Sequence, residues 1–208
     1  MTSRSQMPAR AMQSPVEPLL ARLYQLSWTP GAWMQEQWWA ALDLGHWRPV
    51  YASLSSCRAA LDSAIAKRRG FPDAVLPASL TAQQRQLLRL EGGLRKHMVG
   101  LGVVGLGLQP YLLLGEYRRA LAPALDARAC NQLLALAAPP GATFVASIEA
   151  GRFLDYATSY GQAWLGRQLR GCPVWRALEI CLPPPMSIDC DIPSSSAIAT
   201  LSRLERYL

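Results

Sequence analysis

The chain has 208 residues, half of them apolar, which is enough for a substantial buried core in one or two domains and too apolar for a disordered protein. Charged residues make up only 17%, below the usual quarter of a soluble domain, so the surface favours standing contacts with partners over free diffusion. The formal charge of +7 comes almost wholly from arginines spread along the chain, with lysine only at Lys67 and Lys96; without a motif-bearing basic stripe, the pattern argues against nucleic acid and for an acidic partner surface.

Met1 to Ser14 carries Arg4 and Arg10 but no continuous apolar stretch, so it fails as a signal peptide and reads as a disordered leader over residues 1–14. Helical periodicity then recurs through a domain expected over residues 15–181. Val50, Leu54, Cys57, Leu61 and Ile65 fall on one face of a helix that Pro49 opens and Gly70 with Pro72 closes. Arg58 and Asp62 form an i,i+4 pair on another face. Thr81 is placed to cap the next helix, with Gln84 completing a capping box, and Leu87, Leu90, Leu94 and Met98 form its apolar stripe. Gln83, Arg85, Gln86, Arg89 and Lys96 supply the solvated side.

Met98 to Gly115 is apolar enough to raise a membrane question, but Gln109, Pro110 and closely spaced glycines interrupt it, and a span normally needs ~20 clean apolar residues. A buried, broken helix pair is the expectation, without membrane insertion. Pro110 suits the first turn of a helix through about Leu121, and Asp126 caps another through about Ala137. Thr143 to Ile148 is too short to divide between strand and helix start. Phe153, Tyr156, Tyr160 and Trp164 then stripe a helix from about Ser147 to Leu169 as core residues. Residues 182–193, with Pro183, Pro184 and Pro185, read as a stiff connector. In residues 194–208, Ser194 to Ser196 can cap a terminal helix whose Ile198, Leu201, Leu204 and Leu208 share a face. Its host is either its own domain or a partner, and marginal stability of isolated short helices favours the former. The fold class is therefore all-α: a compact, irregular multi-helix domain with a Pro-rich connector and a short C-terminal helix.

Chemistry-bearing patterns are weak. Gly100, Gly102 and Gly105 spell Gly-x-Gly-x-x-Gly, with Asp126 further on, but a helical pattern precedes them where a dinucleotide fold needs a strand. Close approach of helix backbones is the better use for them. His46 and His97 have no neighbours at zinc-ligand spacing, and Asp189 and Asp191 around Cys190 read as a solvated turn. The five cysteines include no Cys-x-x-Cys pair and read as reduced, buried, inert thiols. No catalytic residue, metal or cofactor is expected. Lys67, Arg68 and Arg69, ending a helix whose apolar side faces the core, are expected to project into water as the densest positive patch for an acidic partner. Arg203 and Arg206 on the terminal helix are the second candidates.

The segment Tyr24-Gln25-Leu26-Ser27-Trp28-Thr29-Pro30-Gly31-Ala32-Trp33 resembles the N-terminal part of the SctK family (the YscK and PscK type). Leu101 to Leu108, Gly115-Glu116-Tyr117-Arg118-Arg119 and Leu133-Leu134-Ala135-Leu136 resemble its central Leu/Gly-rich helices. The resemblance runs from about Tyr24 to Arg170 and carries no catalytic residues. It implies an all-helical, cytoplasmic accessory protein of the type III secretion sorting platform, peripheral at the cytoplasmic face of the injectisome base. Its implied partners are the cytoplasmic domain of the inner-membrane ring protein (SctD) and the pod protein (SctQ). The competing reading, a helical small-molecule or lipid-binding protein, needs Trp33, Trp38, Trp39 and Trp164 to line one aromatic pocket.

Overall fold

In the computed structural model, residues 17–136, 148–188 and 192–208 are described, and among them the regular structure is entirely helical. Eleven α-helices follow in order: α1 Pro18–Trp28, α2 Gln37–Ala41, α3 Arg48–Ser53, α4 Ser55–Arg69, α5 Ala82–Arg89, α6 Leu94–Gly105, α7 Gly115–Leu121, α8 Ala127–Leu134, α9 Ala150–Gln168, α10 Pro173–Leu178 and α11 Ala197–Leu204. The all-α expectation holds. None of the described helices is long and apolar enough to cross a membrane.

The centre of the molecule is the α6–α9 pair. Here the glycines of α6 are used for contact: a Cβ on Gly102 would stand 1.9 Å from the Ala157 carbonyl oxygen, and one on Gly161 would stand 2.0 Å from that of Met98. The two backbones therefore touch at a single crossing that no larger residue admits. Gly105 receives the rings of Trp164 and Tyr160, and Gly100 receives Leu208 and Leu204 of the C-terminal segment. Phe153, Tyr160 and Trp164 are fully buried, as the aromatic stripe predicts, whereas Tyr156 is half-buried.

Local signals acted where expected. The Thr81 N–H donates to Gln84 Oε1 at 2.9 Å and the Gln84 N–H donates to Thr81 Oγ1 at 3.2 Å, closing the capping box. Asp126 Oδ1 accepts from the Ala129 N–H at 2.7 Å, and Ser196 Oγ accepts from the Ala199 N–H at 3.1 Å. Leu87, Leu90, Leu94 and Met98 are all buried.

Three expected helices are instead broken. A 3-10 turn at Glu91–Gly93 divides α5 from α6, where consecutive Gly92 and Gly93 weaken helix propagation. Leu54 adopts an extended conformation between α3 and α4 and is exposed, so only Leu61 and Ile65 of that predicted stripe are buried. After Pro110 the chain forms a 3-10 helix, Gln109–Leu113, and extended Leu114 separates it from α7. Conversely, periodicity assigned no helix to Pro18–Trp28, although Pro18 occupies its first turn and Leu23 and Leu26 are completely buried.

The connector lies along α9. Gln162 Nε2 donates to the Pro183 carbonyl at 3.0 Å, the Met186 N–H donates to Ser159 Oγ at 3.1 Å, and Trp164 Nε1 donates to the Ser195 carbonyl at 3.1 Å. Arg167 Nη2 donates to the Ile192 carbonyl at 3.0 Å and also to that of Pro193. These contacts deliver α11 to its seat on α6 and α9, with Leu201 and Leu204 buried. The leader, the end of the predicted helix at Ala137, most of Thr143 to Ile148, and the Asp189–Cys190–Asp191 turn lie outside the described residues.

Candidate interaction surface

The three cations at the end of α4 separate in space. Gly70, in the left-handed region at φ 59°, stops the helix and leaves Lys67, Arg68 and Arg69 in its last turn, where cations suit the negative end of the helix dipole. Lys67 is exposed. Arg68 is exposed but tethered: its Nη1 donates to the carbonyls of Leu42 and Asp43 and lies 3.5 Å from the Asp43 carboxylate.

Arg69 overturns the expectation that all three side chains project into water. Its guanidinium lies 5.8 Å from the Trp38 ring and 5.4 Å from the Phe71 ring, and Nη2 donates to the Arg176 carbonyl at 2.5 Å. Arg176 returns the contact by donating to the carbonyls of Arg69 and Gly70 at 3.2 and 3.1 Å. Burial lowers the Arg69 pKa to about 10, with nearby Glu179 opposing that shift, so the side chain remains charged at neutral pH. Its use is to strap the end of α4 to α10, which binds the N-terminal helices to the body.

A second polar node lies beneath. Asp62 is buried, and its Oδ1 accepts from the Gly31 N–H at 2.9 Å and the Tyr51 hydroxyl at 3.1 Å. Burial raises the Asp62 pKa against those two hydrogen bonds and the nearby Arg58 charge. The expected surface pair Arg58–Asp62 is not formed; Arg58 Nε instead donates to the Tyr51 carbonyl at 3.0 Å. Tyr51 is pushed up to about 12 by burial and by Asp62. The carboxylate thus fixes the Pro30–Ala32 turn against α3 and α4.

A third node joins α1 to the turn before α6. Arg22 holds Glu91 in an ion pair at 2.5 Å, while its guanidinium covers the Trp33 ring at 3.6 Å. The Cys181 thiol reaches the same carboxylate at 3.9 Å, and burial followed by the Glu91 charge pushes it up to about 12. Such a thiol is unreactive near neutral pH.

The four tryptophans proposed to line one pocket are dispersed. Trp33 is surface-exposed under Arg22, and Trp39 packs on Tyr51 with ring centroids 5.3 Å apart. Trp38 borders a cleft with Gln162 and Glu179, and Trp164 is sealed against Gly105. No shared aromatic cavity results, so the geometric basis of the ligand-binding reading is removed.

Two faces among the described residues combine exposed side chains with a groove or pocket. Leu20, Tyr24 and Trp28 on α1, with Ala78, line a groove of about 700 Å³, and Trp28 is 56% exposed. On the other face Arg203 and Arg206 are exposed on and just after α11, and Arg206 shares a pocket with Lys96 of α6 and Arg128 of α8. Sequence reasoning passed over Arg128. Its position one residue inside the N-terminus of α8, where a cation opposes the dipole, was the available signal.

These features define an all-helical protein with polar side chains spent on internal straps and with apolar and cationic surface left outside. Residues 21–184 match the family described as type III secretion system subunit, and the chain belongs to that family. No curated protein matches the chain, and no solved structure does.

Proposed function

We propose that the chain is a non-enzymatic adaptor of the SctK type in the type III secretion sorting platform. It joins the cytoplasmic domain of the inner-membrane ring protein (SctD) to the pod protein (SctQ) and sits at the cytoplasmic face of the injectisome base. The observation that carries this reading is the family match across residues 21–184, which spans the same segments that resemble the SctK type. Two features of the molecule favour it. The titratable side chains of the interior serve as straps between helices, as at Arg69, Asp62 and Glu91. The exposed aromatic face of α1 and the cationic face of α11 are on separate elements, which suits an adaptor with more than one contact.

Affinity capture of the tagged full chain from a secreting bacterium tests the proposal. Recovery of the ring and pod proteins is the expected result. Consistent absence of both, under conditions where the apparatus assembles and secretes, would overturn it.

A further inference from the structure

Resting on the adaptor reading, we infer that the pocket between α6, α8 and α11 is a docking site for an acidic, amphipathic segment of a protein partner, with Arg128 and Arg206 as its charged contacts. Lys96, Arg128 and Arg206 converge there from three helical segments far apart in sequence, around a pocket of about 300 Å³ that also includes Gln132, Tyr207 and Leu208. The one acidic side chain lining it among the described residues, Asp126, accepts the N-cap hydrogen bond of α8. Lys96 is engaged by a main-chain oxygen of Leu208, whereas Arg128 forms no ion pair or hydrogen bond among the described residues.

The distribution of ion pairs supports this reading. The five ion pairs among the described residues join residues 17–91 to one another, or Arg176 to Glu179. None involves Lys96, Arg128, Arg203 or Arg206. Among the described residues, the cations of this face exceed the one acidic side chain, Asp126, that borders the pocket and form no ion pair, so a complementary anion lowers its energy. Arg128 is the informative member. Near the start of a helix a cation is disfavoured, so local stability gives no reason for it.

The adjoining surface selects a peptide over a simple anion. Arg128, Gln132 and Tyr207 also border a second, open trough of about 610 Å³ with Asn131, Ala135 and Leu136, whose lining is mainly apolar. Cationic pocket and apolar trough share an edge, so a segment with carboxylates followed by apolar side chains covers both at once.

The test uses the full chain and a labelled synthetic peptide of consecutive glutamates followed by leucines, with the partners' own capture measured in parallel. The variant Arg128→Glu combined with Arg206→Gln should weaken peptide binding roughly tenfold or more, with the loss greatest at low salt. Arg152→Glu with Arg170→Glu, both exposed and neither lining the pocket or the trough, should leave it unchanged. A carboxylate at position 128 agrees with the dipole of α8, so the melting temperature should hold or rise, and a folding defect cannot account for lost binding. Equal losses in both variants would overturn the inference by reducing it to net charge. Binding of phosphatidylserine vesicles in place of the peptide, abolished by the same variant, would overturn it in favour of a membrane. If the variant captures ring and pod proteins as well as wild type does, this site is refuted while the adaptor reading stands. If wild type captures neither but still binds the peptide through Arg128, the adaptor reading fails and the docking site stands.

Discussion

The α6–α9 crossing and the N-terminal helices hold the molecule together by opposite means. At the crossing there are no side chains between the backbones; glycine on each helix lets carbonyl oxygen meet Cα, and aromatic rings close the flanks. Among α1, α3, α4 and α10 the joints are single polar side chains reaching across gaps: Arg22 to Glu91, Asp62 to Gly31 and Tyr51, and Arg69 to Arg176. A steric joint tolerates no added atom. A polar joint tolerates a change of size but not the loss of charge or hydrogen-bond partner.

That contrast ranks the effects of mutation. The largest is expected for Gly102→Val, whose Cβ collides with the Ala157 carbonyl and cannot be relieved by a rotamer change; a loss of about 3 kcal/mol or more should register in chemical denaturation, and wild-type stability would show that the helices can separate without cost. Arg69→Glu should cost about 3 kcal/mol, because it removes the strap and sets a carboxylate beside Glu179, whose own pKa burial already raises. Lys67→Glu, two residues away, should stay within about 0.5 kcal/mol. Equal effects at both positions would restore the three residues as one exposed patch.

Asp62→Ala should cost about 2 kcal/mol by leaving the Gly31 N–H and the Tyr51 hydroxyl unpaired. Asp62→Asn should remain closer to wild type, because an amide oxygen keeps the two shorter hydrogen bonds made at Oδ1 and loses only the 3.3 Å contact of the Tyr51 hydroxyl with Oδ2, while the buried charge disappears. The smallest effect is one of pH. The folded Cys181 pKa of about 12 lies above the ordinary thiol value of 9.0, so the unfolded thiol loses its proton first. Its contribution is fully present below pH 9.0 and is lost as pH rises toward 12. Cys181→Ala should flatten that alkaline decline in thermal melts, and an unchanged slope would show that other groups cause it.

Much of the fold was legible because its signals act within one helical turn. A side chain that caps a helix meets an amide three residues on, as Thr81, Asp126 and Ser196 do, and the Leu87–Met98 stripe needs only a count of residues. Even the breaks at Glu91–Gly93 and before α7 had partial local cause, in paired glycines and in Pro110. The break at Leu54 had none: the exposed leucine, extended between α3 and α4, sat in phase with a buried stripe. Likewise, charge at the end of α4 could be counted from the sequence, but its accessibility could not.

The sequence by itself determined that this chain is helical, where several helices begin, that its glycines serve close contact, and, through its residue patterns, which secretion family it resembles. Only the tertiary structure decided that Arg69 turns inward onto Trp38 and Phe71, that Asp62 is a buried acceptor, and that Lys96, Arg128 and Arg206 share one pocket. The reason is range. Capping and periodicity are satisfied by neighbours along the chain, whereas the partner of a long side chain is chosen by packing between segments a hundred residues apart, and the same arginine is a strap on one surface and a free cation on another.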